Sequence, residues 1–375
     1  MQPTQFPFIE ISGSPRERGH QYGAAAAARV RRGVEHYVEQ FAAYGLDRRA
    51  IHCHVESYLP RIRAFDPAFI EEMQGIAEGA GVDFEAVVLL NARTELLHEA
   101  RIATRQERIK EEPDGCTGVV ILPEASETGR VIHALNWDWK AECATTSVVL
   151  RIRRDNDPDL LTFTEAGALA RAGMNAAGLA VTANYIETDR DFEKAGVPLA
   201  LVRRKVLQSS SYAEAVGVIV STETLTSNNL LLSHRDGVAI DFECAPSETF
   251  PIYPENGVIV HANHWTSQAA LAKYKDTGVL TTPDTLYRDH RVRTLLLAKG
   301  RKLTAADVVE ALRDDFGAPW SVCRPPRPNL YGALTATVAM LVMDTTADVM
   351  ELTPLPALNR ESTTYCLSGE PAMAA

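Results

Sequence analysis

The chain has 375 residues, with 38 basic and 49 acidic side chains and a formal net charge of -11. An acidic chain without a basic block repels a phosphate backbone, which argues against nucleic acid as a partner and leaves small neutral or cationic molecules as easier ligands. No run approaches the ~18 apolar residues of a membrane span, and Met1 to Phe8 lacks the basic and apolar regions of a secretory signal. The expectation is a cytoplasmic protein with no membrane partner.

In chain order, a short apolar strand (Phe6 to Ile11) precedes Ser14-Pro15, which opens a helix as an N-cap followed by an N1 proline. The spacing of Val30, Val34, Tyr37, Val38 and Phe41 continues that helix, and amphipathic stretches cover Asp47 to Ala64, Pro67 to Ala80 and Asp83 to Ala100. Arg101 to Pro113 is charged and reads as a solvated loop. From Cys116 the pattern turns to strands: Thr117 to Leu122, Val131 to Leu135, Ser147 to Ile152, Leu160 to Phe163, Leu179 to Ala183, Leu230 to Leu232, Val238 to Phe242 and Val258 to Val260. Helices interrupt at Pro198 to Gln208, Tyr212 to Val220, Asp284 to Ala298 and Ala305 to Arg313, before closing strands at Ala333 to Met343 and Asp348 to Leu352. Strands in two groups with helices between and outside them predict an α+β fold of stacked antiparallel sheets covered by helices.

Six cysteines are scattered without a CxxC pair, so neither a zinc knuckle nor a redox motif is indicated. Each is first read as a small buried hydrophobe. Cys116 departs from that reading, because it sits where a loop meets a strand and directly follows Gly115. A sheet holds such a nucleophile rigidly, and a residue without Cβ leaves its carbonyl open to attack. Attack of the Cys116 thiol on the Gly115 carbonyl would exchange the amide for a thioester, which water opens. Cleavage there would leave residues 1–115 and 116–375, the second chain carrying an α-amine with an ordinary pKa of about 7.7–8.0. An amine on the nucleophile's own residue can serve as its base.

Nine short strings extend the reading: Gly13-Ser-Pro-Arg-Glu-Arg-Gly19, Gly75-Ile-Ala-Glu-Gly79, Leu90-Asn-Ala-Arg-Thr-Glu95, Asp114-Gly-Cys-Thr117, Asn136-Trp-Asp138, Thr164-Glu-Ala-Gly167, Gly173-Met-Asn-Ala-Ala-Gly178, His261-Ala-Asn-His264 and Ser321-Val-Cys-Arg324. In this order the sequence resembles the acyl-coenzyme A:6-aminopenicillanic acid acyltransferase (isopenicillin N acyltransferase-like) family of N-terminal nucleophile (Ntn) hydrolases. The resemblance implies an αββα sandwich, a helical α-chain of residues 1–115 and a β-chain of 116–375 that stay together as a heterodimer after self-cleavage. It implies an acid at Asp138 beside the new α-amine, an oxyanion donor at Asn263, a looser match to a second donor at Asn184, and a cation near the thiol at Arg324. Each has a plainer reading: Asp138 as a turn or cap, Asn263 as a loop residue, Arg324 as a surface ion pair.

His261 and His264 supply two ligands where zinc needs three or four, and His52 and His54 diverge on a helix, so no metal and no cofactor is expected. The expected activity is cleavage of a small N-acyl amide through an acyl-thioester on Cys116. The alternative is transfer of the acyl group, from an amide or acyl-CoA, to an amine. A Cys-His thiol protease acting in the uncut chain, and a non-catalytic binding protein of the same fold, are the rivals.

Overall fold

The computed structural model describes residues 4–103, 115–328 and 334–369. Strand β1 (Phe8–Ile11) leads into helices α1 (Pro15–Ala25), α2 (Ala27–Ala43), α3 (Arg48–Phe65), α4 (Pro67–Ala80), α5 (Phe84–Asn91) and α6 (Arg93–Ala103). Then come β2 (Gly115–Ile121), β3 (Ile132–Lys140), a short α7 (Cys143–Thr146), β4 (Ser147–Ile152), β5 (Leu160–Glu165), β6 (Ala172–Asn175) and β7 (Leu179–Tyr185). Helices α8 (Leu199–Leu207) and α9 (Tyr212–Ser221) precede β8 (Asn228–His234), β9 (Val238–Ala245), β10 (Glu248–Ile252) and β11 (Val258–His261). The chain continues through α10 (Gln268–Leu271), α11 (Thr285–Leu297), α12 (Ala305–Leu312), β12 (Arg327–Pro328), β13 (Leu334–Asp344), β14 (Val349–Pro354) and β15 (Thr363–Cys366).

The strands form two sheets. The first runs in the order β1-β4-β5-β6-β7-β8-β9-β10, the second β11-β2-β3-β13-β14-β15 with β12 on β13. They face each other across a layer in which Val120, Leu122 and Ile259 of the second meet Leu231 and Ala239 of the first. Residues alternate faces along a strand. Val119, Ile121 and Ala134 therefore point the other way, onto Val292 and Leu296 of α11 and Val308 and Leu312 of α12. The N-terminal helices, α8 and α9 join the largest apolar cluster with the first sheet; the buried Tyr22 hydroxyl of α1, for example, donates to the Glu165 and Ala168 carbonyls at 3.2 Å. The layers are helix, sheet, sheet, helix, as the sequence pattern predicts. Among the described residues no helix is long and apolar enough to cross a membrane.

The differences from expectation are local. The first long helix breaks at Ala26 (φ -105, ψ 13), and the Asp83 to Ala100 stretch breaks at Ala92 (φ -112, ψ 16), because periodicity persists through a one-residue kink. One sheet pair is parallel, β1 with β4. Of the charged segment Arg101 to Pro113, the first three residues complete α6 and 104–113 lie outside the described residues. The short strands β6, β10, β12 and β15 are additional.

Two of the nine strings serve packing. Helices α1 and α4 cross so closely that a Cβ at Gly19 would lie 2.0 Å from the Glu72 carbonyl oxygen, at Gly23 2.2 Å from that of Ile76, at Gly75 2.2 Å from that of Arg16 and at Gly79 2.3 Å from that of His20. The obstructing atoms are backbone, which cannot move aside. Ser14 starts α1 with a capping box, its backbone N–H donating to Glu17 at 2.8 Å and Pro15 taking the first helical position. Gly75→Ala should therefore cost about 3 kcal/mol through overpacking, read as a clear drop in the thermal unfolding midpoint. An unchanged midpoint would contradict the close crossing.

Candidate active site

Cys116 is the second residue of β2, with β11 on one side and β3 on the other. It pairs with Trp137, and two residues along each strand Gly118 pairs with Leu135. On the same face the His133 ring meets Ser233 at 2.8 Å and Thr182 at 2.9 Å, both in the first sheet. The fully buried thiol therefore points between the sheets. There its Sγ accepts a hydrogen bond from an Arg171 guanidinium NH2 at 3.0 Å. Arg171 immediately precedes β6, and its guanidinium lies 4.5 Å from the centre of the Trp137 ring. Trp137 packs edge-on against Phe163 at 5.6 Å. A cation held in place by a ring and touching sulfur favours the thiolate.

The backbone of Cys116 is held equally tightly. Its N–H donates to Asn263 Oδ1 at 2.8 Å and its carbonyl accepts from Arg288 at 2.7 Å. Arg288 also donates to Thr117 Oγ1 at 3.0 Å and to Asn263 Oδ1 at 2.7 Å. Two donors converging on one amide atom identify it as the oxygen, which fixes the orientation of Asn263. Its Nδ2 then donates to the Tyr185 carbonyl at 2.8 Å. Asn184, on β7, donates to the His261 and Ala262 carbonyls at 2.8 and 2.9 Å, so it braces the turn that carries Asn263 while its amide hydrogens are engaged. His261, two residues before Asn263 at the end of β11, is braced by Glu243 at 2.8 Å. Burial alone would lower its pKa, but Asp241 and Glu243 lift it to about 9.

The outer face of the same strands carries a chain of charges. Asp138 on β3 stands opposite Gly115, accepts from Thr337 Oγ1 at 2.6 Å and pairs with Arg324 at 3.1 Å. Thr337 Oγ1 also accepts from the Arg324 N–H at 2.7 Å, at a point where the register of β13 on β3 slips; such irregularities re-aim side chains beside sites. Arg324 reaches on to Asp284, whose carboxylate accepts from Arg288 at 2.7 Å. Burial would raise the Asp284 carboxyl, but Arg288 and Arg324 outweigh it and hold it below the usual carboxylate range. A Cβ at Gly115 would lie 2.8 Å from Asp138 Oδ2 and 3.2 Å from the Arg324 guanidinium carbon. The Asp138–Arg324 pair thus lies against the α-carbon of Gly115.

The structure brings Gly115, Cys116, Asp138, Asn263 and Arg324 into one network and places Asn184 directly behind it. Arg324 contacts Asp138 and Asp284, whereas Arg171 contacts the thiol. Arg171, Asp284, Arg288 and Thr337 escape sequence reading. An Asp–Arg pair four apart at the start of α11 was the visible signal for two of them; Arg171, which lies two residues before a family-like string, had none of its own. The remaining buried thiols are different in kind. Burial pushes Cys244 and Cys323 up to about 12 and Cys143 well above the ordinary thiol range. His261 and His264 do not converge as ligands, since His264 bonds Thr285 at 2.9 Å. Among the described residues, three ligand-type side chains gather at His52, Glu56 and Glu85, on α3 and α5, which give nothing to this site.

Residues 125–354 match the family described as acyl-coenzyme A:6-aminopenicillanic acid acyl-transferase, and the chain belongs to that family. The matched span holds Asp138, Asn184, Asn263 and Arg324; Cys116 precedes it. The acyl-coenzyme A:6-aminopenicillanic-acid-acyltransferase 40 kDa form of Emericella nidulans is 27% identical over 325 residues, 84% of each chain. An uncharacterized protein of Archaeoglobus fulgidus is 26% identical over 235 residues, 56% of this chain and 38% of that protein. Among solved structures, a mutant conjugated bile acid hydrolase from Clostridium perfringens is similar at TM-score 0.49 and 15% identity, covering 67% of this chain and 92% of its own. Penicillin V acylase from Agrobacterium tumefaciens is similar at TM-score 0.40 and 15% identity, covering 67% and 86%. Family membership makes the protein an enzyme of acyl-transfer chemistry.

The buried charge chain yields a prediction. Asp284→Asn leaves Arg288 and Arg324 without their shared carboxylate and should cost about 3 kcal/mol or more at pH 7. Because the folded carboxyl sits below its unfolded value of about 3.9, the wild-type advantage is complete above that value and disappears as pH falls through the folded one. Denaturant unfolding of both proteins between pH 3 and 7 checks it, and a gap that does not change with pH would contradict it.

Proposed function

We propose that the chain is a self-processing N-terminal-nucleophile cysteine amidohydrolase that cleaves the amide bond of a small N-acyl compound. The observation that carries this reading is the double hold on Cys116: sulfur against Arg171 at 3.0 Å, and its own nitrogen against Asn263 Oδ1 at 2.8 Å. In maturation, Sγ attacks the Gly115 carbonyl carbon, the Gly115–Cys116 C–N bond breaks, and the proton passes to the departing nitrogen. Water then opens the thioester, leaving residues 1–115 and 116–375 as partner chains of one heterodimer. The Cys116 nitrogen is now an amine, and Asn263 Oδ1 is already placed to hold it.

In turnover the amine takes the thiol proton and Arg171 supports the thiolate. The thiolate attacks the substrate carbonyl. The leaving amine departs with the proton, and water resolves the acyl-thioester. On the family resemblance Asn263 supplies the oxyanion donor, an effect typically worth several kcal/mol, while Asn184, its amide hydrogens given to the His261 and Ala262 carbonyls, braces the turn behind it. Asp138, braced by Thr337 and Arg324, fixes the geometry around the Gly115 end. The second reading, acyl transfer to an amine instead of water, is favoured by the family's own description and by the name of the Emericella nidulans relative. Both readings share the first half-reaction and differ in how the site excludes water.

Intact mass analysis of purified protein tests the maturation step. Wild type should give chains of 115 and 375 − 115 = 260 residues, and Cys116→Ala should stay whole. Gly115→Ala should slow cleavage by at least ~10-fold, because its Cβ intrudes on the Asp138 carboxylate. An uncut wild-type chain that still hydrolyses amides would refute self-processing.

A further inference from the structure

The turn that carries Asn263 is fastened to the end of β7 at two points. Asn263 Nδ2 donates to the Tyr185 carbonyl at 2.8 Å, and two residues further on Trp265 Nε1 donates to the Glu187 carbonyl at 2.9 Å. Tyr185 is the last residue of β7 and Glu187 lies past it. The strand thus ends where these two carbonyls are needed, and side chains must help to hold them.

A side chain of α6 touches both residues. His98, half-buried, stacks on the Tyr185 ring with centroids 4.7 Å apart and planes at 19°. Its Nδ1 lies 3.2 Å from the Tyr185 hydroxyl and 3.9 Å from Glu187 Oε1. The His98 ring also stacks on Phe192 at 5.9 Å. Phe192 has a φ of 67°, which bulky side chains rarely adopt, and its N–H donates to the Leu225 carbonyl at 2.8 Å. Asp191 beside it accepts from Thr188 Oγ1 at 2.9 Å and from the Ser227 N–H at 3.0 Å. A backbone held in a sparse region by its surroundings points to a segment shaped for its contacts. Here one of those contacts is His98.

We propose that His98 is a positioning residue for the nucleophile: it clamps Tyr185 and Glu187, so that their carbonyls hold the turn of residues 263–265 and Asn263 Oδ1 holds the Cys116 nitrogen. His98 lies on the 1–115 side of the proposed cut, and the residues it clamps lie on the 116–375 side. The first chain therefore helps to shape the active site of the second. The inference rests on the self-processing reading. In that reaction Sγ must meet the Gly115 carbonyl in one geometry, and a misplacement of about 1 Å can cost on the order of 100-fold in rate.

The rate of self-cleavage tests this without a substrate. Each protein is made by cell-free translation, and loss of the 375-residue chain is followed by intact mass. His98→Ala should slow cleavage at least ~10-fold. Tyr185→Phe keeps the carbonyl and the ring but loses the hydroxyl. It should slow cleavage about 3-fold in the wild-type background and less than about 1.5-fold in His98→Ala, because both changes remove the same contact. Gly75→Ala, at the α1–α4 crossing, controls for lost stability: it should lower the unfolding midpoint and leave the cleavage rate unchanged. Wild-type cleavage by a folded His98→Ala protein, independent effects of the His98 and Tyr185 changes, or an equal slowing in Gly75→Ala overturns the proposal. If His98→Ala does not fold, Tyr185→Phe alone decides, and an unchanged rate overturns it. A wild-type chain that stays uncut sinks instead the self-processing reading beneath it, so the two failures are distinguishable.

Discussion

The carboxylate of Asp284 is shared by two buried arginines, and the geometry of the site hangs on that sharing. Arg288 carries the hold to the Cys116 carbonyl, to Thr117 and to Asn263; Arg324 carries it to Asp138 and so to the α-carbon of Gly115. Two guanidinium groups and two carboxylates alternate, so the chain is neutral although almost wholly buried. A buried ion pair adds little net stability compared with apolar packing. Its value here is positional, because four separate pieces of chain — β2, β3, the turn after β11 and the loop before β12 — are registered on one another through groups that tolerate no loss of a partner.

The sandwich divides the work around Cys116 between the two faces of one strand. The outer face, packed on α11 and α12, holds the Asp138–Arg324 pair against Gly115. The inner face, turned toward the first sheet, holds the thiol against Arg171 and Trp137. Because neighbouring residues in a strand point opposite ways, residues 115 and 116 fall under different influences despite being adjacent. On the proposed reading, the outer charges act on the peptide to be cut and the inner cation acts on the nucleophile that remains. The Cys116 nitrogen lies between them, held by Asn263.

Much of the fold was legible because long amphipathic or apolar runs leave few choices. Helix α4 lies where the pattern places it, Pro67–Ala80, and β4 likewise at Ser147–Ile152. The helix breaks at Ala26 and Ala92 were not legible, since neither residue is a breaker and the apolar period runs through both. The parallel β1–β4 pair was hidden for another reason, because pairing direction leaves no mark on a four-residue strand. In the site, Cys116, Asp138, Asn263 and Arg324 stood out because they sit in recognisable strings. Arg171 did not, because nothing in sequence joins it to Cys116, 55 residues earlier; only the stacking of the sheets does. The strings around Gly19 and Gly75 entered only through the family resemblance, and their glycines serve helix packing.

The central claim is that the thiol of a newly exposed Cys116 carries the acyl group. Intact mass spectrometry during a single turnover, with a poorly hydrolysed amide substrate and mapping of the adduct, tests it most directly. The account predicts a hydroxylamine-labile acyl increment on the 116–375 chain, located at Cys116. An acyl increment on another residue, or on an uncut chain, would contradict it.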